Sequence, residues 1–168
     1  MTSRLAFHIR QKIAQRDSLD LAATWLGKTP GVIVEFGFGA GRSYSHLVAR
    51  FPECEVFCFD RADKAHVLLR PPPGHLIVGE FTDVLGDPAI HARFAGRVIL
   101  LHVDVGSGGP EDEVVPEFIL SRVHGWLSPG AAVISDQHLT LDPAWNLVPV
   151  DTSGRVAHAE LFHVYRRP

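Results

Sequence analysis

A short apolar run followed by three closely spaced glycines constrains the fold of this chain more than any other stretch of its sequence. Residues 32–36 are apolar apart from one acid and rich in β-branched side chains, as in a buried parallel strand. Gly37, Gly39 and Gly41 follow at alternate positions, and a segment with helical apolar spacing begins at Arg42. Glycine lets the backbone turn sharply and lets a ligand approach it, and a helix start offers unpaired N–H groups. The stretch therefore predicts a ligand-binding corner between a strand and a helix.

The residues around the glycines indicate what kind of ligand this corner accepts. The spacing is G-x-G-x-G, and Arg42 stands where the dinucleotide fingerprint G-x-G-x-x-G has its third glycine. Glu35, two residues before the first glycine, suits a positively charged group such as the amino group of an amino acid better than a pyrophosphate. A glycine turn without any ligand is the alternative at this point.

A second acid lies at the end of the next predicted strand. Residues 55–60 form an apolar run that ends on Asp60, 23 residues after Gly37. The intervening length suits the right-handed crossover between two parallel strands. An acid at this place can accept hydrogen bonds from ribose hydroxyls, so a ligand that contains a nucleoside is favoured over a mere cap of the next helix.

The rest of the chain alternates strand-like and helix-like segments. We expect further strands at residues 75–80, 97–104, 131–136, 145–150 and 159–166. We expect helices at residues 3–26, 42–51, 87–95 and 111–126, the first with a possible break at 16–18. Trp25 is expected in the core or over the ligand, and the turn at 151–154 predicts a hairpin between the last two strands. The 168 residues fit a single domain, with N-terminal helices at 1–27 and a core at 32–168.

Composition excludes several classes of partner. The net charge of −3 and the absence of a basic patch with interleaved aromatics argue against nucleic acid and anionic membrane surfaces. No apolar run approaches the roughly 20 residues of a membrane span, and the N-terminus lacks the apolar region of a signal peptide. We therefore expect a cytoplasmic protein in which Cys54 and Cys58 are reduced thiols.

Motifs spread over almost the whole chain together resemble one known family. They are the acid and three glycines at Glu35, Gly37, Gly39 and Gly41, the strand-end acids Asp60 and Asp104, the pair Gly79 and Glu80, and the turn from Leu127 to Gly130. This combination resembles the class I S-adenosylmethionine (SAM) methyltransferases, and most closely the small bacterial S-adenosyl-L-methionine methyltransferases. The resemblance implies an α/β fold, a Rossmann-like, doubly wound, seven-stranded sheet that is mostly parallel with an antiparallel last strand. SAM would lie across the carboxyl ends of the first strands, where open α/β sheets generally bind ligands.

The resemblance also implies a set of residues for the cofactor. The glycines would admit the methionine portion, Asp60 would bind the ribose, and Glu35 would orient the glycine loop or take the amino group through water. Glu80 or Asp83 would accept from the adenine amine, Phe81 would cover the ring, and Arg61 would border it. Arg42 and Ser43 would meet the carboxylate. The full implied set is Glu35, Phe36, Gly37, Phe38, Gly39, Gly41, Arg42, Ser43, Asp60, Arg61, Gly79, Glu80, Phe81 and Asp104.

Methyl transfer from a sulfonium is a displacement in which the enzyme mainly aligns donor and acceptor, leaving S-adenosylhomocysteine (SAH) as product. A general base is needed only when the acceptor must lose a proton. Asp104 is the first candidate for that base and His138 the second, with His102 and Asp136 on the same rim.

Three other interpretations stay open at this point. There is no N/D-P-P-Y segment after the fourth strand, no Pro-Cys nucleophile and no inserted cap, so the resemblance does not identify the acceptor. We expect a small molecule, bound between the N-terminal helix, the loop after the fourth strand and residues 138–145, or closed in by the second subunit of a homodimer. A SAM-binding protein without catalysis and a nicotinamide dehydrogenase are alternatives. A third is a Mg²⁺-dependent, catechol-type O-methyltransferase using Asp104, Asp136 and Gln137, although a metal is not favoured.

Overall fold

The computed structural model describes residues 3–106 and 114–168, and these residues form a seven-stranded sheet. Its strands are β1 (Val32–Phe36), β2 (Glu55–Asp60), β3 (Leu76–Val78), β4 (Val98–Val103), β5 (Leu127–Ser135), β6 (Val148–Pro149) and β7 (His163–Arg166). Their order across the sheet is β3-β2-β1-β4-β5-β7-β6. The first five strands pair in parallel, and β7 is antiparallel to both of its neighbours. The predicted α/β sheet with an antiparallel last strand is confirmed.

Helices cover both faces of the sheet because its central strands are apolar on both sides. The helices are α1 (Arg4–Leu26), α2 (Arg42–Arg50), α3 (Phe81–Val84), α4 (Pro88–Phe94) and α5 (Val115–Val123). Helices α1 and α2 pack on the face that carries Ile33, and α4 and α5 pack on the face that carries Val34 and Phe36. Each face therefore has its own buried apolar cluster, as in a doubly wound fold.

Helix α1 is continuous, so the two N-terminal helices expected from the sequence are one. Its N-cap is Ser3, whose Oγ accepts the Ala6 N–H at 3.1 Å. Ser18, at the predicted break, is fully buried, and packing of the adjacent Leu19 in the apolar cluster under α1 keeps the helix intact. Trp25 packs against the same apolar cluster. Within the described ranges, no helix is long and apolar enough to cross a membrane.

The predicted boundaries of helices and strands agree best with the structure where neighbouring residues determine them. Strands β1 and β2 begin and end where predicted, and Asp87 caps α4 through a 2.8 Å bond from the Ala89 N–H. Strand β5 begins earlier than predicted, at Leu127, because the expected turn lies within the strand, where the Gly130 N–H donates to the Arg167 carbonyl. The first residues of the predicted 111–126 helix, 111–113, lie outside the described residues.

The last two strands pair as predicted, but a tight hairpin does not join them. Val148 lies opposite Arg166 in an antiparallel register. The connection runs from residue 150 to residue 162, and its Val156 and Phe162 are buried in the apolar cluster beneath α1. Burial of these two side chains holds the connection against α1, so the 151–154 turn is only its beginning.

Candidate functional site

The carboxyl ends of β1, β2 and β4 open onto a cleft of about 360 Å³. The cleft is lined by Gly37, Gly39, Asp60, Arg61, Lys64, Glu80, Phe81, Thr82, Asp104, Val105, Gly106, Val115 and Phe118. Half of the predicted cofactor-binding set is among them: Gly37, Gly39, Asp60, Arg61, Glu80, Phe81 and Asp104. The crossover connections of the sheet bring these residues together, because parallel strands end at one edge.

The three glycines after β1 are required for three different reasons. A Cβ on Gly37, whose φ is +90°, would lie 2.0 Å from the Asp104 carbonyl oxygen, so this glycine lets the loop lie against the end of β4. A Cβ on Gly41 would meet the Phe38 ring at 2.8 Å. Gly39 has a φ of +54°, but a Cβ there would meet nothing within 4 Å. Of these three glycines, only Gly39 thus presents open backbone to the cleft.

Asp60, at the end of β2, holds the glycine loop in place. Its Oδ2 accepts the Gly39 N–H at 2.8 Å, and its Oδ1 accepts the Ala62 N–H at 3.1 Å. Each carboxylate oxygen has a second lone pair, so Asp60 keeps acceptor capacity for a ligand hydroxyl at the cleft wall.

Asp104, just beyond β4, is bonded to helix α1. Its Oδ2 accepts from Gln15 Nε2 at 2.7 Å and from Lys12 Nζ at 3.1 Å, and its side chain is 14% exposed. The carboxylate reaches the cleft, but α1 fixes one of its oxygens.

Glu35 lies beneath the glycine loop on the α1 face of the sheet and does not line the cleft. It is fully buried, where its Oε1 pairs with His102 Nδ1 at 3.0 Å and its Oε2 accepts from Cys58 Sγ at 3.5 Å. Burial raises the pKa of the Cys58 thiol far above its ordinary value, so this side chain is a thiol donor. Glu35 contributes to the site through this row of buried polar side chains.

Arg42 and Ser43 line a separate hollow of about 170 Å³ between α1 and the start of α2. Its other lining residues are Lys12, Gln15, Arg16, Leu19 and His46, so basic side chains surround it. Lys12 connects this hollow to the cleft through its bond to Asp104. The arrangement suits an anionic group such as a carboxylate.

The remaining predicted residues lie around the cleft. Phe36 is buried under it and stacks on Phe59 with ring centroids 4.6 Å apart. It also meets the cleft residue Phe81 edge-on, with ring centroids 5.4 Å apart. Phe38 is buried against Tyr44, the Gly79 N–H donates to the Asp60 carbonyl, and Gly41 begins α2.

His138, the second candidate for a general base, is exposed beyond β5 and is not among the residues that line the cleft. Its ring meets that of His163 edge-on, with ring centroids 5.3 Å apart. Burial and the neighbouring His138 lower the pKa of His163. The structure therefore does not bring His138 together with Asp104.

Asp136, at the end of β5, is buried beside the cleft. Its Oδ2 accepts the Gly106 N–H at 2.7 Å, and its Oδ1 has no hydrogen-bond partner in the part of the chain that the structure describes. Burial, and after it the charge of Asp104, raises the pKa of Asp136 to about 6. Across residues 3–106 and 114–168, no group of three or more His, Cys, Asp or Glu side chains is placed to hold a metal ion.

Sequence reasoning missed several residues of the site. The cleft residues outside the predicted set are Lys64, Thr82, Val105, Gly106, Val115 and Phe118. Val115 and Phe118 follow helical spacing, which identifies them as apolar helix positions but not as a cleft wall. Lys12 and Gln15 carry no local signal, because their contact with Asp104 spans about 90 residues of sequence.

Comparisons with known proteins agree on the family and the fold. The family described as "S-adenosyl-L-methionine methyltransferase" matches residues 2–167. The crystal structure of an S-adenosyl-L-methionine methyl transferase from Silicibacter pomeroyi DSS-3 is 26% identical over 100% of both chains, with a TM-score of 0.86. A putative methylase, HI0767 from Haemophilus influenzae, is 14% identical over 89% of this chain and 87% of its own, with a TM-score of 0.63. The plantazolicin methyltransferase BpumL, in complex with SAH, is 14% identical over 76% of this chain and 46% of its own, with a TM-score of 0.54. No curated protein matches the chain.

Proposed function

Because this chain belongs to the S-adenosyl-L-methionine methyltransferase family, we propose that it transfers the methyl group of SAM to a small-molecule acceptor and releases SAH. The observation that carries this proposal is the cleft itself. Open glycine backbone at Gly39, the strand-end acid Asp60 and the aromatic side chain of Phe81 line one continuous wall at the carboxyl ends of parallel strands. An amino acid, a ribose and an adenine need those three kinds of surface.

We place the nucleoside of SAM against β2 and α3. Asp60 has free lone pairs for the ribose hydroxyls, and Phe81 offers a ring face to the adenine. Glu80 and Arg61 are exposed at the rim of the same wall, where Glu80 can accept from the exocyclic amine.

The methionine portion then lies along Gly37 and Gly39, towards the basic hollow at the start of α2. Arg42, Ser43 and Lys12 line that hollow and can hold the carboxylate. The cleft and the hollow are separate, but Lys12 lines the hollow and bonds to Asp104 in the cleft wall, so one ligand can reach both.

The residues act mainly by alignment, because SAM supplies a methyl group that is already activated on a sulfonium. Asp104 lies in the cleft wall and is our candidate for a general base when the acceptor carries a proton that must leave. Val115 and Phe118 of α5 form an apolar wall of the same cleft, which favours an acceptor with an apolar surface. The cytoplasmic location and the homodimer stay predictions.

Calorimetry with SAM, SAH and NAD(H) tests the cofactor. We expect SAM and SAH to bind and NAD(H) not to bind, since Arg42 stands where a dinucleotide site needs glycine. Tight binding of NAD(H) without binding of SAM would contradict the proposal. Mass-spectrometric detection of SAH formed with a panel of small acceptors then tests catalysis. Binding of SAM with no turnover on any acceptor would favour a non-catalytic SAM-binding protein.

A further inference from the structure

We propose that Gln15 is a positioning residue for Asp104, and that the buried row of Cys58, Glu35 and His102 holds the Gln15 amide in the orientation this requires. The inference rests on the proposed function in one respect, that Asp104 lies beside the bound cofactor. Gln15 itself is 5% exposed on α1, where it lines the basic hollow and not the cleft.

The row crosses three neighbouring strands. Cys58 of β2 and His102 of β4 both lie directly opposite Glu35 of β1 in the parallel register. The Cys58 thiol donates to one oxygen of Glu35, and His102 Nδ1 lies 3.0 Å from the other. Since a carboxylate only accepts, the His102 proton in this bond is on Nδ1.

The orientation of the Gln15 amide follows from two partners that leave no choice. Its Oε1 lies 2.9 Å from Lys12 Nζ, and an ammonium group only donates. Its Nε2 lies 2.7 Å from Asp104 Oδ2, and a carboxylate only accepts. The same Nε2 lies 3.2 Å from His102 Nε2, so that ring nitrogen must accept the second amide hydrogen.

These assignments are mutually consistent, because a His102 ring with its proton on Nδ1 has a lone pair on Nε2. A proton on Nε2 would instead face the Gln15 N–H and would force the amide to turn its oxygen towards Asp104. The tautomer that Glu35 selects on one side of the ring therefore leaves, on the other side, a lone pair that accepts the second amide hydrogen, and this stabilises the orientation in which Gln15 donates to Asp104. The buried row, which lies on the α1 face of the sheet, thereby supports the carboxylate oxygen that α1 holds.

Position 15 can be tested with a variant of similar length, and Gln11 supplies a matched control. Gln15→Met removes both amide hydrogens. Gln11→Met makes the same change one helical turn away, outside the row and the cleft.

The first measurement is NMR of the ring nitrogens of His102 and the carboxyl carbon of Asp104, without any cofactor. We expect the wild-type ring to carry its proton on Nδ1 only. The Asp104 carboxyl resonance should move in Gln15→Met and stay in place in Gln11→Met. A wild-type proton on Nε2, or an Asp104 resonance indifferent to Gln15→Met, would overturn the inference.

The second measurement is calorimetric affinity for SAH and for methylthioadenosine, which lacks the amino-acid portion. Gln15 lines the basic hollow and holds Asp104, which lies against Gly37, and the methionine portion is placed along both. Gln15→Met should therefore weaken SAH binding about tenfold and methylthioadenosine binding much less. Gln11→Met should change neither. Unchanged SAH affinity in Gln15→Met would refute the positioning role. If the wild-type chain binds no SAH, the proposed function fails, while the NMR measurement still decides whether Gln15 positions Asp104.

Discussion

Asp136 gives the stability of this fold a specific dependence on pH, which Asp136→Asn should remove. The side chain is 8% exposed at the end of β5, and its Oδ2 accepts the Gly106 N–H. Burial, and after it the negative charge of Asp104, raises the pKa of Asp136 from 3.8 to about 6. The native state therefore binds this proton more tightly than the unfolded chain does.

The sign and size of the effect follow from those two pKa values. Below about pH 4 the carboxyl group is protonated in both states and costs nothing. From about pH 4 to about pH 6 the unfolded chain ionises first, so the free energy of unfolding falls as pH rises. At about 1.4 kcal/mol per pKa unit the total loss is ~3 kcal/mol, and it stays constant at higher pH.

Urea denaturation of the wild type and of Asp136→Asn, at about pH 4.5 and at about pH 7.5, measures this loss. Asparagine keeps an oxygen for the Gly106 N–H and carries no charge. We therefore expect the free energy of unfolding of the variant to exceed that of the wild type by about 1–3 kcal/mol at the higher pH, the lower end allowing for an unpaired buried amide. The difference should be about 2 kcal/mol smaller at the lower pH, where only about 1 kcal/mol of the loss has developed. The exposed Asp151, whose pKa Ser153 lowers, supplies the control Asp151→Asn, which should show no such gain. Parallel pH profiles for Asp136→Asn and wild type would refute the reasoning.

Two further predictions concern the glycine loop. Gly39→Val should abolish measurable SAH binding in calorimetry while Gly96→Val leaves it intact, because both glycines have positive φ and open surroundings but only Gly39 lines the cleft. Equal SAH affinity in the two variants would mean that the cofactor lies elsewhere. Gly37→Ala should lower the free energy of unfolding by about 2 kcal/mol or more in urea, because its Cβ would lie 2.0 Å from the Asp104 carbonyl oxygen. Wild-type stability in that variant would contradict the close approach of the loop to β4.

Features determined by neighbouring residues could be predicted from the sequence. The apolar runs at β1 and β2 gave correct boundaries, and the Asp-Pro start of α4 was recognised because capping acts within one turn. The spacing of the glycines indicated a ligand corner. It could not separate the packing role of Gly37 from the open position of Gly39, because that difference depends on where the end of β4 lies.

The surroundings of Glu35 could not be predicted for the same kind of reason. Strand alternation places Glu35 on the same face as Ile33, but the sequence does not say which face α1 covers. It also does not give the register that sets His102 and Cys58 directly opposite. A signal was nevertheless present, since each of the three interrupts an otherwise apolar strand with a side chain that can donate or accept a hydrogen bond.

The three strand-end acids have different roles in the site because their oxygens already accept different hydrogen bonds. Asp60 accepts the Gly39 N–H, Asp104 accepts from Gln15 and Lys12, and Asp136 accepts the Gly106 N–H. Each acid thus anchors a different neighbour, respectively the glycine loop, α1 and Gly106 after β4. Asp60 and Asp104 also reach the cleft and keep lone pairs for a ligand, whereas the buried Asp136 does not reach it. Substituting Asp60 or Asp104 should therefore change both the local geometry and ligand binding. Substituting Asp136 should change the local geometry without removing a group that contacts the ligand.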